Sequence, residues 1–161
     1  MSFTNHVLVV ANRTVDSPEL MEALRERAQR GPIHVTLLAP VRFAERDRAH
    51  ARMEEVAARL ITAGIVTETQ VGDADPVVAV QEAWDPRRYD EIVVSTLATG
   101  ASHWLQIDLP HRVARLTDCP VRHVESRLPA PPRIPAPPRP QPALLESVLA
   151  LLRTSTRGRA A

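Results

Sequence analysis

The run GASHWLQIDLP, Gly100 to Pro110, sets a hydroxyl (Ser102), an imidazole (His103), an indole (Trp104) and a carboxylate (Asp108) close together. A loop of that make-up, laid over the ends of strands, offers two uses. Trp104 either stacks on a planar ligand or, with Leu105, plugs a pocket with apolar surface. The plug is the simpler expectation, and His103 reads as an exposed loop residue rather than a general base. Asp108 could meet His103 and His111, but the six histidines (His6, His34, His50, His103, His111 and His123) show no H-E-x-x-H spacing, and Cys119 has no second cysteine. No metal site is expected. No G-x-S-x-G elbow accompanies a Ser-His-Asp set. Every basic residue is an arginine, which removes Schiff-base chemistry and a Walker-type lysine. The expectation is a protein that is not an enzyme and carries no cofactor. Cys119 lies between Asp118 and Pro120, with nothing to lower its pKa, and reads as a small buried hydrophobe.

These residues need elements to hold them. Val7 to Ala11 is an apolar, β-branched run that suits a strand buried on both faces. Ser17-Pro18 then caps a helix with Leu20, Leu24 and Ala28 on one face, ended by Gly31-Pro32. Ile33 to Ala39 repeats the buried strand, and Met53, Val56, Ala57, Leu60 and Ile61 follow helical spacing up to Gly64. Ile65 to Val71 makes a third strand. Asp75-Pro76 caps a helix with Val77, Val80 and Trp84 inward, broken at Pro86. Ile92 to Val94 is a fourth strand, Pro110 to Leu116 a helix with Val113 and Leu116 inward, and Val121 to Val124 a short fifth strand. Five strands alternating with four helices predict an α/β fold: an open, parallel, Rossmann-like sheet with helices on both faces. Ligands of such sheets bind beyond the carboxyl ends of the strands. Those ends are read here as Asn12, Pro40, Gly72 and Ser95.

With 161 residues and 44% hydrophobic content, the chain suits one domain with a real core plus a tail. The domain is read as residues 1–126, followed by a proline-rich linker over 127–142 and a short apolar helix and frayed end over 143–161. Leu128 to Pro142 holds eight of the fifteen prolines, an extended polyproline spacer of roughly 40 to 45 Å. ALLESVLALLR (Ala143 to Arg153) is too apolar to stand alone in water. It is expected either to clasp its own domain or to dock on a dimer mate or another protein partner. The net charge of +1 divides into +5 from Arg127 onward and −4 before it. A mildly acidic domain with 3% aromatic residues lacks the basic, stacking face that nucleic acid needs. No apolar run is long enough to span a membrane, and MSFTNHVLVV is unlike a secretory leader. A cytoplasmic protein is expected.

The opening HVLVVAN, the second strand VTLLAPV, the segment ETQVGDADPVVAVQEA, the fourth strand EIVVST and the closing HRVARLTDCPVRHV resemble, in order and spacing, the universal stress protein domain. The resemblance runs from His6 to about Val124. Nucleotide-binding members carry a glycine signature, G-2x-G-9x-G-[ST], after strand four. Carried over, its glycines fall on Ser95, Ala98 and Ile107 and its hydroxyl residue on Asp108, with one residue fewer between the last two glycines. All three glycines are missing, so backbone amides lose their close approach to phosphate. Asp108 is expected to cap the following helix itself, with its charge set against phosphate, and Pro110 removes a donor.

The family's acidic residue after strand one falls on uncharged Asn12, read equally as a turn residue or a ligand contact, and the adenine edge would rest near Ala39 and Pro40. The resemblance therefore implies a divergent member in which usual ATP binding is absent or weak. Its ligand candidates are Asn12, Pro40, Ser95, Gly100, Ser102, Trp104 and Asp108. It also implies a homodimer through the fifth strands, at Val121, Arg122, His123 and Val124. The functional expectation is a regulatory or interaction domain, and the alternative is a binder of a small planar or nucleotide ligand.

Overall fold

The computed structural model describes residues 3–98 and 102–127, so expectations for the tail beyond them and for Gly100 lie outside the described residues. Five parallel strands form one sheet in the order β3-β2-β1-β4-β5: β1 (Asn5–Val10), β2 (Ile33–Pro40), β3 (Val66–Gly72), β4 (Glu91–Leu97) and β5 (Val121–Ser126). The helices between them are α1 (Pro18–Gln29), α2 (Arg46–Thr62), α3 (Pro76–Ala83), α4 (His103–Gln106) and α5 (Leu109–Thr117), with a 3-10 turn at Phe43–Glu45 before α2. The expected α/β architecture is present. The addition is α4, a single turn where a loop is expected.

Alternation along β1 decides which residues meet which helices. Val7, Val9 and Ala11 point into one core with Leu20 and Leu24 of α1 and Met53, Val56 and Leu60 of α2. Leu8 and Val10 point into the other with Ala79 and Val80 of α3 and Leu109 and Val113. Because β1 is central and covered on both faces, Val7 to Val10 are fully buried. Each large apolar side chain so buried is worth roughly 1.5–3 kcal/mol.

The helix starts follow their caps. Ser17 accepts from the Leu20 amide at 3.2 Å, and Asp75 accepts from the Val77 and Val78 amides at 2.8 and 3.4 Å. Gly64, after α2, takes φ +84°, which a side chain would strain.

Several expected inward positions are corrected. Ile61 is 56% exposed and Leu116 is 38% exposed, because each sits at the margin of its apolar stripe and turns past the sheet. Trp84 follows the last residue of α3 and is only part-buried, stacked on Tyr89 at 6.0 Å. Strand β4 runs on through Ser95 to Leu97 because it pairs with β5 as far as Ser126. Ser95 is therefore inside the sheet rather than at its end.

Candidate functional site

The strand order reverses direction between β1 and β4, the place where an open parallel sheet normally holds its ligand. Here the gap is tied shut. The last β1–β4 pair is Val10 with Val94, so the Ser95 carbonyl lies beyond the ladder, and the Thr14 hydroxyl donates to it at 3.1 Å in the protein interior. Ser95 Oγ lies 3.0 Å from Ser126 Oγ, which accepts from Ser17 Oγ at 2.8 Å. This buried hydroxyl chain joins the start of α1 to β4 and β5, satisfying polar atoms that would be costly to leave unpaired.

A pocket of about 190 Å³ remains outside this clasp, lined by Asn12, Arg13, Ser95, Leu97, Ser102 and Trp104 among others. Sites for drug-sized ligands run from about 300 Å³ upward, and this pocket is smaller than that. Ser102 is 7% exposed just before α4, and Trp104 packs part of its ring against the core that holds Leu109 and Val113. Trp104 thus lines the pocket while part of its surface rests on the core.

Asp108 does not do what the sequence predicts. It precedes α5 in the left-handed region at φ 51°, and its side chain makes no capping bond. Its Oδ1 lies 2.7 Å from His111 Nδ1 instead, with both side chains largely exposed. The left-handed backbone turns the carboxylate away from the first-turn amides, so Asp108 neither caps the helix nor lines the pocket. Thr14 and Ser95 bridge the gap, and Ser102 and Trp104 line the pocket beside it. Among the described residues, no cluster of three His, Cys, Asp or Glu side chains could hold a metal ion.

A second, larger groove of about 540 Å³ lies on the other side of the β1–α1 loop, at the ends of β1 and β2 and beside α2. Asn12 lines both cavities, and its Nδ2 donates to the Pro40 carbonyl at 3.0 Å, joining the two strand ends. Pro40 thus contributes its C=O, the one backbone polar group it has. The groove has an apolar floor of Val15, Ala39, Val41 and Met53 and a rim bearing Arg13, Arg48, Arg52 and Glu45. Arg52 grips Asp16 through Nη2–Oδ1 at 2.6 Å and Nε–Oδ2 at 3.3 Å, and it also donates to the Arg13 carbonyl at 3.1 Å. A fork on a carboxylate is the geometry guanidinium is built for.

Of the expected site residues, Asn12, Ser95, Ser102 and Trp104 come together around the smaller pocket, and Pro40 touches Asn12. The sequence reading missed Arg13 and Thr14, which directly follow Asn12 in the loop at the end of β1, and Arg48 and Arg52, one helical turn apart on α2. The i, i+4 arginine pair was a readable signal. Its relation to Arg13 was not.

At the sheet edge, Arg122 reaches Glu26 of α1 at 3.3 Å, His123 Nε2 lies 2.7 Å from Thr96 Oγ1, and Val124 is buried. Cys119 is part-buried against the α3–α5 core. Burial raises its pKa above the ordinary 9.0, and the nearby Asp90 and Glu91 charges add to the rise.

No protein-family model matches the chain. No curated protein matches it either. Among solved structures, a universal stress protein from Archaeoglobus fulgidus is similar with a TM-score of 0.52 and 14% identity, over 75% of this chain and 93% of that one. A structure of the universal stress protein from Archaeoglobus fulgidus in complex with dAMP gives 0.47 and 15%, over 78% of this chain and 100% of that one. The fold is that of a universal stress protein domain.

Proposed function

We propose that this universal stress protein-like domain is a non-catalytic regulatory or interaction module that works as a homodimer and holds no nucleoside triphosphate at the β1–β4 gap. The observation that carries the reading is the buried Thr14–Ser95 hydrogen bond. It ties the loop after β1 to β4 at the switch point, and Ser102 and Trp104 line the small pocket beside it. Ser95 Oγ pairs with Ser126 Oγ and the His111 ring with Asp108, which supports a structural use of these groups.

The dimer reading is supported by the position of β5 at one edge of the sheet. An edge strand has one row of backbone groups open to a second copy. Melting curves with Mg-ATP test the first reading. A ligand at a hundredfold excess over its Kd would add about 2.7 kcal/mol, and the expected result is no shift. A clear shift that disappears when Ser102 and Trp104 are changed would refute it.

One further observation favours a second reading alongside the first. The groove beside β2 is open and large enough for a small ligand, and binding there leaves the Thr14–Ser95 clasp intact.

A further inference from the structure

We infer that a second copy of this chain fills the groove between α1 and β5, with the partner's Arg122 pairing to Glu19. The inference rests on the dimer reading above and names the contact that orients it.

Three observations lead to it. The first is an unmet acceptor. A groove of about 220 Å³ runs beside β5, lined by Glu19, Glu22 and Glu26 of α1 and by Arg122, His123 and Val124. Arg122 lies 3.3 Å from Glu26, which accounts for one carboxylate. Glu19 Oε1 accepts from the Arg127 amide at 3.4 Å, but its Oε2 is shut off from solvent and has no hydrogen-bond partner among the described residues. A buried carboxylate oxygen calls for a cationic donor.

The second is the edge. The carbonyls of Pro120 and Ser126 serve β4, so alternation turns the backbone groups of Val121, His123, Glu125 and Arg127 the other way. Glu19, which accepts from Arg127, therefore stands at the open edge where β5 ends. The third is reversal. Arg122, Val124 and Ser126 all turn their side chains to the α1 face, where Arg122 meets Glu26, Val124 joins the core with Leu20 and Leu24, and Ser126 meets Ser17. A two-fold axis normal to the sheet pairs the two edges antiparallel, so the start of one strand meets the end of the other on the same face. With His123 opposite the partner's His123, or opposite the partner's Glu125, the partner's Arg122 lies across from Val124 or Ser126. Both registers bring its guanidinium to the side of the sheet that holds Glu19.

The chain contains no lysine, so Arg122→Lys introduces its single side-chain amine, and a zero-length carbodiimide cross-link reports which carboxylate that amine touches. Isotope-labelled and unlabelled full-length Arg122→Lys protein are mixed, cross-linked and mapped by mass spectrometry. Mixed-isotope peptides joining the introduced amine to Glu19 are expected. In light scattering across a dilution series, Glu19→Gln should raise the dimer Kd of the otherwise unaltered protein about tenfold. Glu82→Gln, exposed on α3, should leave it unchanged, and melting curves of all the variants verify the fold.

A cross-link confined to Glu26 of the same chain, links between copies at carboxylates other than Glu19, or an unchanged Kd in Glu19→Gln would overturn the pairing while leaving the dimer. An equal loss in Glu82→Gln would reduce the effect to general charge and overturn it too. A monomeric parent would remove both the pairing and the dimer reading on which it rests.

Discussion

Thr14 closes the switch point with one hydroxyl, and its importance comes from its surroundings. It is 4% exposed, and the Ser95 carbonyl that it serves lies past the end of the β1–β4 ladder. Thr14→Val keeps the shape and removes the donor. It should cost about 1–2 kcal/mol in urea denaturation, because a buried acceptor is left unpaired. Cys119 carries a second expectation at this scale. Its raised pKa means that the folded chain keeps the thiol protonated at a pH where the unfolded chain has begun to lose the proton. The stability it contributes is complete below pH 9.0 and falls as pH rises through the folded value, since the unfolded state then binds fewer protons. Alkylation by iodoacetamide at pH 8 should be slower than for an unstructured cysteine peptide. Melting temperatures between pH 8 and pH 10.5 should fall less steeply for Cys119→Ala than for the parent. Asp108 gives the opposite lesson, since a residue of suitable type at a helix start is no cap when its backbone is left-handed.

Between elements, β3 and α3 approach closely at Gly72. A Cβ on Gly72 would stand 2.7 Å from Ala79 Cβ and 3.0 Å from Leu38 Cδ1. The helix must therefore move to admit even a methyl group. Gly72→Ala should destabilise by about 1–3 kcal/mol by chemical denaturation; an unchanged midpoint would mean that α3 packs less closely than this. Helix starts were legible because Ser17-Pro18 and Asp75-Pro76 state their geometry locally. The extension of β4 to Leu97 was not, since only pairing with β5 keeps Ser95 to Leu97 extended. The single turn α4 also depends on tertiary contacts. Four residues carry too little periodicity to read, and this turn is packed through Trp104 onto the core beneath.

For the molecule as a whole, the edge at β5 is where assembly is to be tested. The amides of Ile92 and Ala98 donate to the carbonyls of Pro120 and Ser126, so the alternating pattern turns the backbone groups of Val121, His123 and Glu125 away from β4. Glu125→Pro removes one of those outward donors and spares the ladder to β4. Light scattering after gel filtration should report a dimer for the parent and a monomer with an unchanged far-ultraviolet spectrum for the variant. A monomeric parent would refute the dimer.

The order of elements, the buried character of β1 and β2 and the absence of the three glycines were legible from residues 6–124 alone, because periodicity, caps and missing glycines are local properties of the chain. The closure of the β1–β4 gap by Thr14 and Ser95, the release of Asp108 to His111 and the gathering of Arg13 with Arg48 were decided only in the folded molecule. Each of these joins residues whose distance depends on how strands align and loops are fastened, and no spacing along a single chain encodes that.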